Sequence, residues 1–139
     1  MTTFTKVTSL LLSLFFAVCF SATAQTSKEK TQIVEQALSI PELRKYYKLK
    51  EKPERKELHI LDNGKLLNTL PVTFAGTKVT FGKRGQVSEN YVEFTEAEFK
   101  PATAQLTYLY PAEKISVDVK LVKKGNKWMK KSATVTPVK

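Results

Sequence analysis

The clearest pattern in the chain is a strict alternation of apolar and polar residues in its C-terminal part. Between Lys114 and Val122 every second residue is apolar, and the residues between them are polar or charged. The apolar set is Ile115, Val117, Val119 and Leu121. Because successive side chains of a strand point to opposite faces of a sheet, this alternation predicts a strand with one buried face.

Three further segments near the C-terminus carry a similar strand pattern. They are Asn90–Phe99, Ala102–Tyr110 and Lys127–Thr136, and a proline or a glycine lies in each intervening turn. The apolar residues of the first segment change parity, which predicts a β-bulge near Thr95–Glu96. In the last segment we expect Met129 on the buried face, together with Ala133 and Val135.

Apolar residues at helical spacing indicate helices before residue 50. The spacing predicts a helix over Thr26–Leu38, and Ser39-Ile40-Pro41-Glu42 has the form of a capping box for a second, short helix that ends near Leu49. Glu57–Leu61 is then expected as a short strand. The dipeptide Asn63-Gly64 that follows is typical of a two-residue β-hairpin.

This order of elements, helices first and hairpin-linked strands afterwards, is typical of an α+β fold. We expect a single domain over residues 25–139, with an N-terminal helix or helix pair packed on a curved antiparallel β-meander sheet. A chain of this length suits one hydrophobic core. Pro71 predicts that the strand around it lies at a sheet edge, because proline cannot donate to a ladder.

Residues 1–24 have the features of a cleavable export signal. Lys6 precedes an apolar run from Val7 to Phe20, and small residues follow up to Ala24. The pattern predicts cleavage between Ala24 and Gln25 and a periplasmic or extracellular protein. An uncleaved anchor and lipidation at Cys19 are alternatives, but the run is short for a membrane span, and Val18 is not the small residue that lipidation favours.

The chain is basic, with 23 lysine and arginine residues against 13 acidic ones and a net charge of +10. This excess favours an anionic partner, such as an acidic glycan or a lipid headgroup, although a lysine-rich soluble surface is the alternative. A protein partner stays open, and no nucleic-acid motif is present. Cys19 is the only cysteine, so cleavage would exclude thiolate metal sites, and we expect no metal and no cofactor.

The densest run of cations defines a predicted basic patch. It spans residues 44–56, where it could face an anionic surface or simply form a solvated connection between a helix and a strand. Its members are Arg44, Lys45, Lys48, Lys50, Lys52, Arg55 and Lys56.

Candidate catalytic groups are few. His59 is the only histidine, and no motif supplies it with a nucleophile. Glu93, Glu96 and Glu98 form one carboxylate cluster, and the last two share a strand face at about 6.5–7 Å. That separation is near the one used by inverting glycosidases. The simpler interpretation is that these acids are the solvated side of a half-buried strand.

Aromatic residues offer a second candidate site. Tyr108 and Tyr110 share a strand face, and with Trp128 and Lys120 they could contact a sugar ring or an acidic ligand. Tyr91 is a further candidate neighbour. Since both strand tyrosines also share their face with Leu106, the alternative is that they belong to the core.

The C-terminal half resembles small secreted NTF2-like or cystatin-like domains. The resemblance depends on the run of long strands, the lone Trp128 within KKGNKW and the final alternating strand, and in architecture it covers about Ser27 to Val135. It implies a cone-shaped sheet, in which the family's enzymes place acid and base residues and its other members bind small molecules or proteins.

These patterns together predict an exported, non-enzymatic binding domain. Its ligand would be a small molecule or an anionic envelope component held on a concave face of the sheet. A hydrolase with Glu96, Glu98 or His59 in the sheet cavity is the first alternative. The second is a structural or inhibitory protein that docks through the edge strand at Pro71.

Overall fold

A computed structural model describes residues 26–63, 70–82 and 90–139 of the chain. The predicted export signal and its cleavage site at Ala24 and Gln25 lie outside the described residues. Within them, the predicted α+β class is confirmed, since short helices precede a six-stranded sheet and a small two-stranded sheet.

The predicted first helix is observed as α1, Ser27–Leu38. Thr26 is its N-cap, and the side-chain oxygen of this residue accepts a hydrogen bond from the backbone N–H of Glu29 at 3.2 Å. Its apolar stripe, Ile33, Val34, Ala37 and Leu38, is fully buried. This stripe packs α1 across the last three strands of the main sheet.

The second helix is shorter than the sequence predicts. A 3-10 turn, Pro41–Leu43, leads into a single α-helical turn, α2, Arg44–Tyr47. The expected capping box does not form, because Ser39 ends α1 and the Glu42 carboxylate pairs with Lys130. Helix α2 ends before Leu49, where Lys48 takes the left-handed conformation at φ 54°.

The six-stranded sheet has the order β4-β1-β5-β6-β7-β8. Its strands, in chain order, are β1 His59–Leu61, β4 Thr80–Gly82, β5 Tyr91–Phe99, β6 Thr103–Tyr110, β7 Ile115–Lys124 and β8 Lys127–Pro137. Strands β5 to β8 form the predicted antiparallel meander. The separate small sheet pairs β2, Thr73–Phe74, with β3, Thr77–Lys78.

The expectation of a wholly antiparallel sheet is wrong at β1. This strand runs parallel to both of its neighbours, β4 and β5. The predicted hairpin at Asn63-Gly64 continues into residues outside the described part of the chain; the Asn63 side-chain amide donates to the Glu93 carboxylate and the Phe94 carbonyl on β5. Within the described residues, the two neighbours of β1 are β4, which follows the β2–β3 hairpin in the chain, and β5, so the sheet is mixed.

Two β-bulges set which residues of β5 and β8 are buried. The predicted bulge is confirmed, because the β5–β6 register shifts between Phe94 and Glu96. A second shift, opposite Lys120 and Leu121, leaves Lys131 as the extra residue of β8. Because this bulge reverses the facing of the strand, the prediction for Met129 is wrong: Met129 is 48% exposed, and its neighbour Trp128 is buried.

Candidate functional site

A cleft of about 880 Å³ opens where the end of α1, the α2 region and the β2–β3 hairpin meet. We call it the basic cleft. Its floor is apolar and consists of Ile40, Tyr47, Leu49 and Phe74. The rings of Tyr47 and Phe74 pack with centroids 4.7 Å apart, so the hairpin lies directly against the helical turn.

The rim of the basic cleft is strongly cationic. Arg44, Lys45, Lys48 and Lys50 line it, and Glu51 is the one acidic residue among the lining residues that the structure describes. Lys48 forms an ion pair with Glu113 at 3.2 Å. Among the described residues, Arg44 and Lys50 have no ion pair, while the Lys45 ammonium lies 5.1 Å from the Tyr46 ring centroid. The rim therefore retains positive charge for an incoming anion.

The path of the chain places these cations around one opening. Helix α2 is one turn long, and its residues Arg44, Lys45 and Tyr47 all line the basic cleft. The left-handed Lys48 then reverses the chain direction, and the backbone N–H of Lys52 donates back to the Lys48 carbonyl at 2.7 Å. This turn brings Lys50 to the same rim.

Arg55 fixes the far end of this turn. It lies in a 3-10 turn, Pro53–Lys56, and is buried. Its guanidinium donates to the Tyr46 carbonyl at 2.9 Å and to the Glu113 carboxylate at 2.8 Å. The hydrogen bond from Arg55, followed by that from Lys48, lowers the pKa of Glu113 below its usual value. The Arg55–Glu113–Lys48 cluster therefore holds the rim to the rest of the fold.

The predicted basic patch is divided by the structure. Arg44, Lys45, Lys48 and Lys50 lie together on the basic cleft. Of the remaining three residues, Lys52 and Arg55 line a neighbouring polar cleft of about 750 Å³, and Lys56 is exposed. Sequence reasoning treated Arg55 as a surface cation and missed its role as a buried anchor.

The predicted aromatic site is not assembled. Tyr108 and Tyr110 have no exposed surface; their hydroxyls donate to the Ala37 carbonyl and to the Asn90 side-chain oxygen, each at 2.7 Å. Trp128 is only 3% exposed and lines a different groove, between α1 and the β7–β8 turn. Lys120 lies on the opposite face of the sheet from Tyr108. These residues pack the core or face solvent separately.

The candidate catalytic groups are also dispersed. Glu96 and Glu98 are exposed, and Glu98 pairs with Lys100 at 3.2 Å. Glu93 is buried and accepts from Asn63. His59 is half-buried and lines the polar cleft with Lys52 and Arg55. Across residues 26–63, 70–82 and 90–139, no group of three or more potential ligands could hold a metal ion.

The floor of the basic cleft was the part that sequence reasoning missed. Ile40 and Phe74 are 34 positions apart in the chain and meet only because the β2–β3 hairpin folds against the end of α1. The Glu35 carboxylate contributes to this placement, since it accepts from the backbone N–H of Thr73 at 3.0 Å. The apolar parity of Val72 and Phe74 was a signal for burial, but not for this location.

Comparisons with known proteins leave the family open. No family model, no curated protein and no solved structure matches the chain. The resemblance to NTF2-like or cystatin-like domains therefore stays a prediction. None of the helices in the described part of the chain is long and apolar enough to cross a membrane.

The role of the Arg55–Glu113–Lys48 cluster is tested by Glu113→Gln, which keeps the shape of the side chain and removes its charge. The folded-state pKa of Glu113 is lowered from a usual value of about 4.5. Its ionised form therefore stabilises the fold above that value, and the contribution is lost as the pH falls through the lowered pKa. We expect the variant to lose about 1–2 kcal/mol of unfolding free energy at pH 7, and the difference from wild type to shrink in acid.

Denaturant unfolding at pH 7 and at increasingly acid pH measures the difference in unfolding free energy between the wild type and Glu113→Gln. Glu98→Gln is the matched control, because the Glu98–Lys100 pair is largely exposed, with side-chain exposures of 61% and 64%, and exposed pairs contribute little. A Glu113→Gln difference that stayed constant down to the most acid conditions would contradict the assigned role.

Proposed function

We propose that this protein is an exported, non-enzymatic binding domain that takes an anionic ligand in the basic cleft. One observation supports the proposal: four cations surround a single apolar-floored opening, and Glu51 is the one acidic residue among its described lining residues. Clustered charge of one sign around a concave site raises the local concentration of the opposite ion. The cleft volume, about 880 Å³, lies within the range typical of small-molecule sites.

The position of the core supports the basic cleft over the sheet as the binding site. On the face of the sheet covered by α1, residues such as Leu106, Tyr108 and Val117 are fully buried. A ligand on that face would have to displace this packing. The positions of the two carboxylates do not support the hydrolase alternative. Glu96 and Glu98 face solvent on β5, whereas a catalytic acid pair requires a partly enclosed site.

Export is the first part of the proposal to test. When the full chain is expressed in a cell with a secretory route, we expect the protein outside the cytoplasm to begin at Gln25, because Ala24 ends the small-residue segment that signal peptidase accepts. N-terminal sequencing measures this directly. Recovery of the intact chain in the cytoplasm would contradict it.

Anion binding is tested with the fluorescent anion anilinonaphthalene sulfonate and the double variant Arg44→Gln/Lys50→Gln. Both residues are exposed on the rim. We expect the variant to bind the probe about three- to tenfold more weakly, since each exposed charge contributes modestly. Added salt should weaken probe binding to the wild type more than to the variant, because the wild type has two more rim charges for the salt to screen.

Lys52→Gln/Lys56→Gln is the matched control for this experiment. It removes the same charge from the same basic stretch, but neither residue lines the basic cleft. We expect its affinity to stay within about twofold of wild type, since solvent screens charges outside the site. Equal losses in both variants would show that net charge, and not the cleft, attracts the anion, and the proposal would be wrong.

A further inference from the structure

We infer that the ligand of the basic cleft is a single-chain amphiphile, with an alkyl chain on the floor and a carboxylate or phosphate head at the rim. The inference rests on the proposed function and goes further, because it names the chemical class of the ligand. It follows from the contrast between the hydrogen-bonding capacity of the floor and that of the rim.

Among the described lining residues Ser39 carries a hydroxyl, but the four floor residues offer no free side-chain donor. Ile40, Leu49 and Phe74 have none by composition, and the hydroxyl of Tyr47 already donates to the Leu38 carbonyl at 2.8 Å. What Tyr47 presents to the cleft is therefore its ring. A sugar or another polyhydroxyl ligand placed here would leave its own hydroxyls without partners, which is unfavourable. The floor selects a part of the ligand that carries no polar group.

The rim selects the other end of the ligand. Arg44 and Lys50 are exposed and have no ion pair within the part of the chain that the structure describes. Arginine offers a planar set of donors and lysine a mobile point charge, and both suit the oxygen atoms of a carboxylate or a phosphate. Since the cations surround the same opening as the apolar floor, the charged head and the apolar body must belong to one molecule.

The short walls of the cleft favour a single chain. Helix α2 is four residues long, about 6 Å along its axis. The β2–β3 hairpin contributes only Phe74 and Ala75 to the lining. Walls of this length cover only part of one alkyl chain.

Displacement of anilinonaphthalene sulfonate by a series of alkyl phosphates tests the inference. We would use hexyl, octyl, decyl and dodecyl phosphate below their micelle concentrations, with dodecanol and inorganic phosphate as the ligands that lack the head and the chain. Affinity should rise about two- to fourfold for each added methylene until the floor is covered. Dodecanol and inorganic phosphate should each bind at least about tenfold more weakly than dodecyl phosphate.

A variant that fills the cleft separates the chain site from the charged rim. Ser39 is exposed and lines the cleft, so Ser39→Trp should occupy the floor while every rim cation remains. We expect it to abolish the dependence of affinity on chain length. Thr134→Trp is the matched control, because Thr134 is exposed, does not line the cleft, and pairs with Asp118 on the face of the sheet away from α1. Circular dichroism and thermal unfolding confirm that both variants are folded.

Each remaining outcome decides between the two proposals. If inorganic phosphate displaces the probe as well as dodecyl phosphate does, the inference is wrong, but anion binding in the basic cleft stands. If no anion binds at the cleft, both fail. If vesicles that contain phosphatidylglycerol bind and monomeric alkyl phosphates do not, the surface recognises a membrane and the inference is again wrong. An unchanged chain-length series in Ser39→Trp also contradicts it.

Discussion

The structure depends on how the buried C-terminus of α1 satisfies its last carbonyl groups. A helix leaves its final four carbonyls without partners inside the helix, and burying them unpaired is costly. Here the backbone N–H of Ser39 donates to the Glu35 and Gln36 carbonyls at 3.1 and 3.3 Å. The Ala37 and Leu38 carbonyls accept from the hydroxyls of Tyr108 and Tyr47, at 2.7 and 2.8 Å.

These two tyrosines connect α1 to different parts of the protein. Tyr108 lies on β6, so its hydroxyl fixes the helix end over the centre of the sheet. Tyr47 belongs to α2 and packs against Phe74 and Tyr110, so its hydroxyl fixes the floor of the basic cleft to the same helix end. Burial raises the pKa of both tyrosines, which keeps both hydroxyls protonated as donors. The position of the cleft is thus a consequence of helix termination.

The sequence predicted the central strands well and the cleft only in part. The alternation of apolar and polar residues predicted the bounds of β6 and β7 to within two residues, because each strand has one buried face along its length. The parallel neighbours of β1 could not be predicted, since a strand of three residues carries too little pattern to specify partners. At Lys131 the bulge lies among polar residues, where no apolar position reveals a change of parity.

The cleft shows the same division between local and long-range information. Its cations lie close together in the chain, so composition alone placed Arg44, Lys45, Lys48 and Lys50 in one predicted patch, although that patch also included three cations that do not line the cleft. Its floor requires Phe74, which the β2–β3 hairpin supplies from a distance, and its support requires the buried Arg55. Contacts between residues far apart in sequence form both the floor and its support, and such contacts leave no periodic pattern in the sequence.

The central claim, that the Tyr47 hydroxyl holds the α2 region to the end of α1, is tested most directly by native-state hydrogen exchange on Tyr47→Phe. Its matched control is Tyr91→Phe, at a half-buried strand position. The account predicts that loss of the hydroxyl accelerates exchange of the Leu43, Lys48 and Lys52 amides, which are hydrogen-bonded within residues 40–52, while the amides of β6 and β7 keep their relative protection. Unchanged protection at those three amides, or an equal loss of protection throughout the sheet, would contradict it.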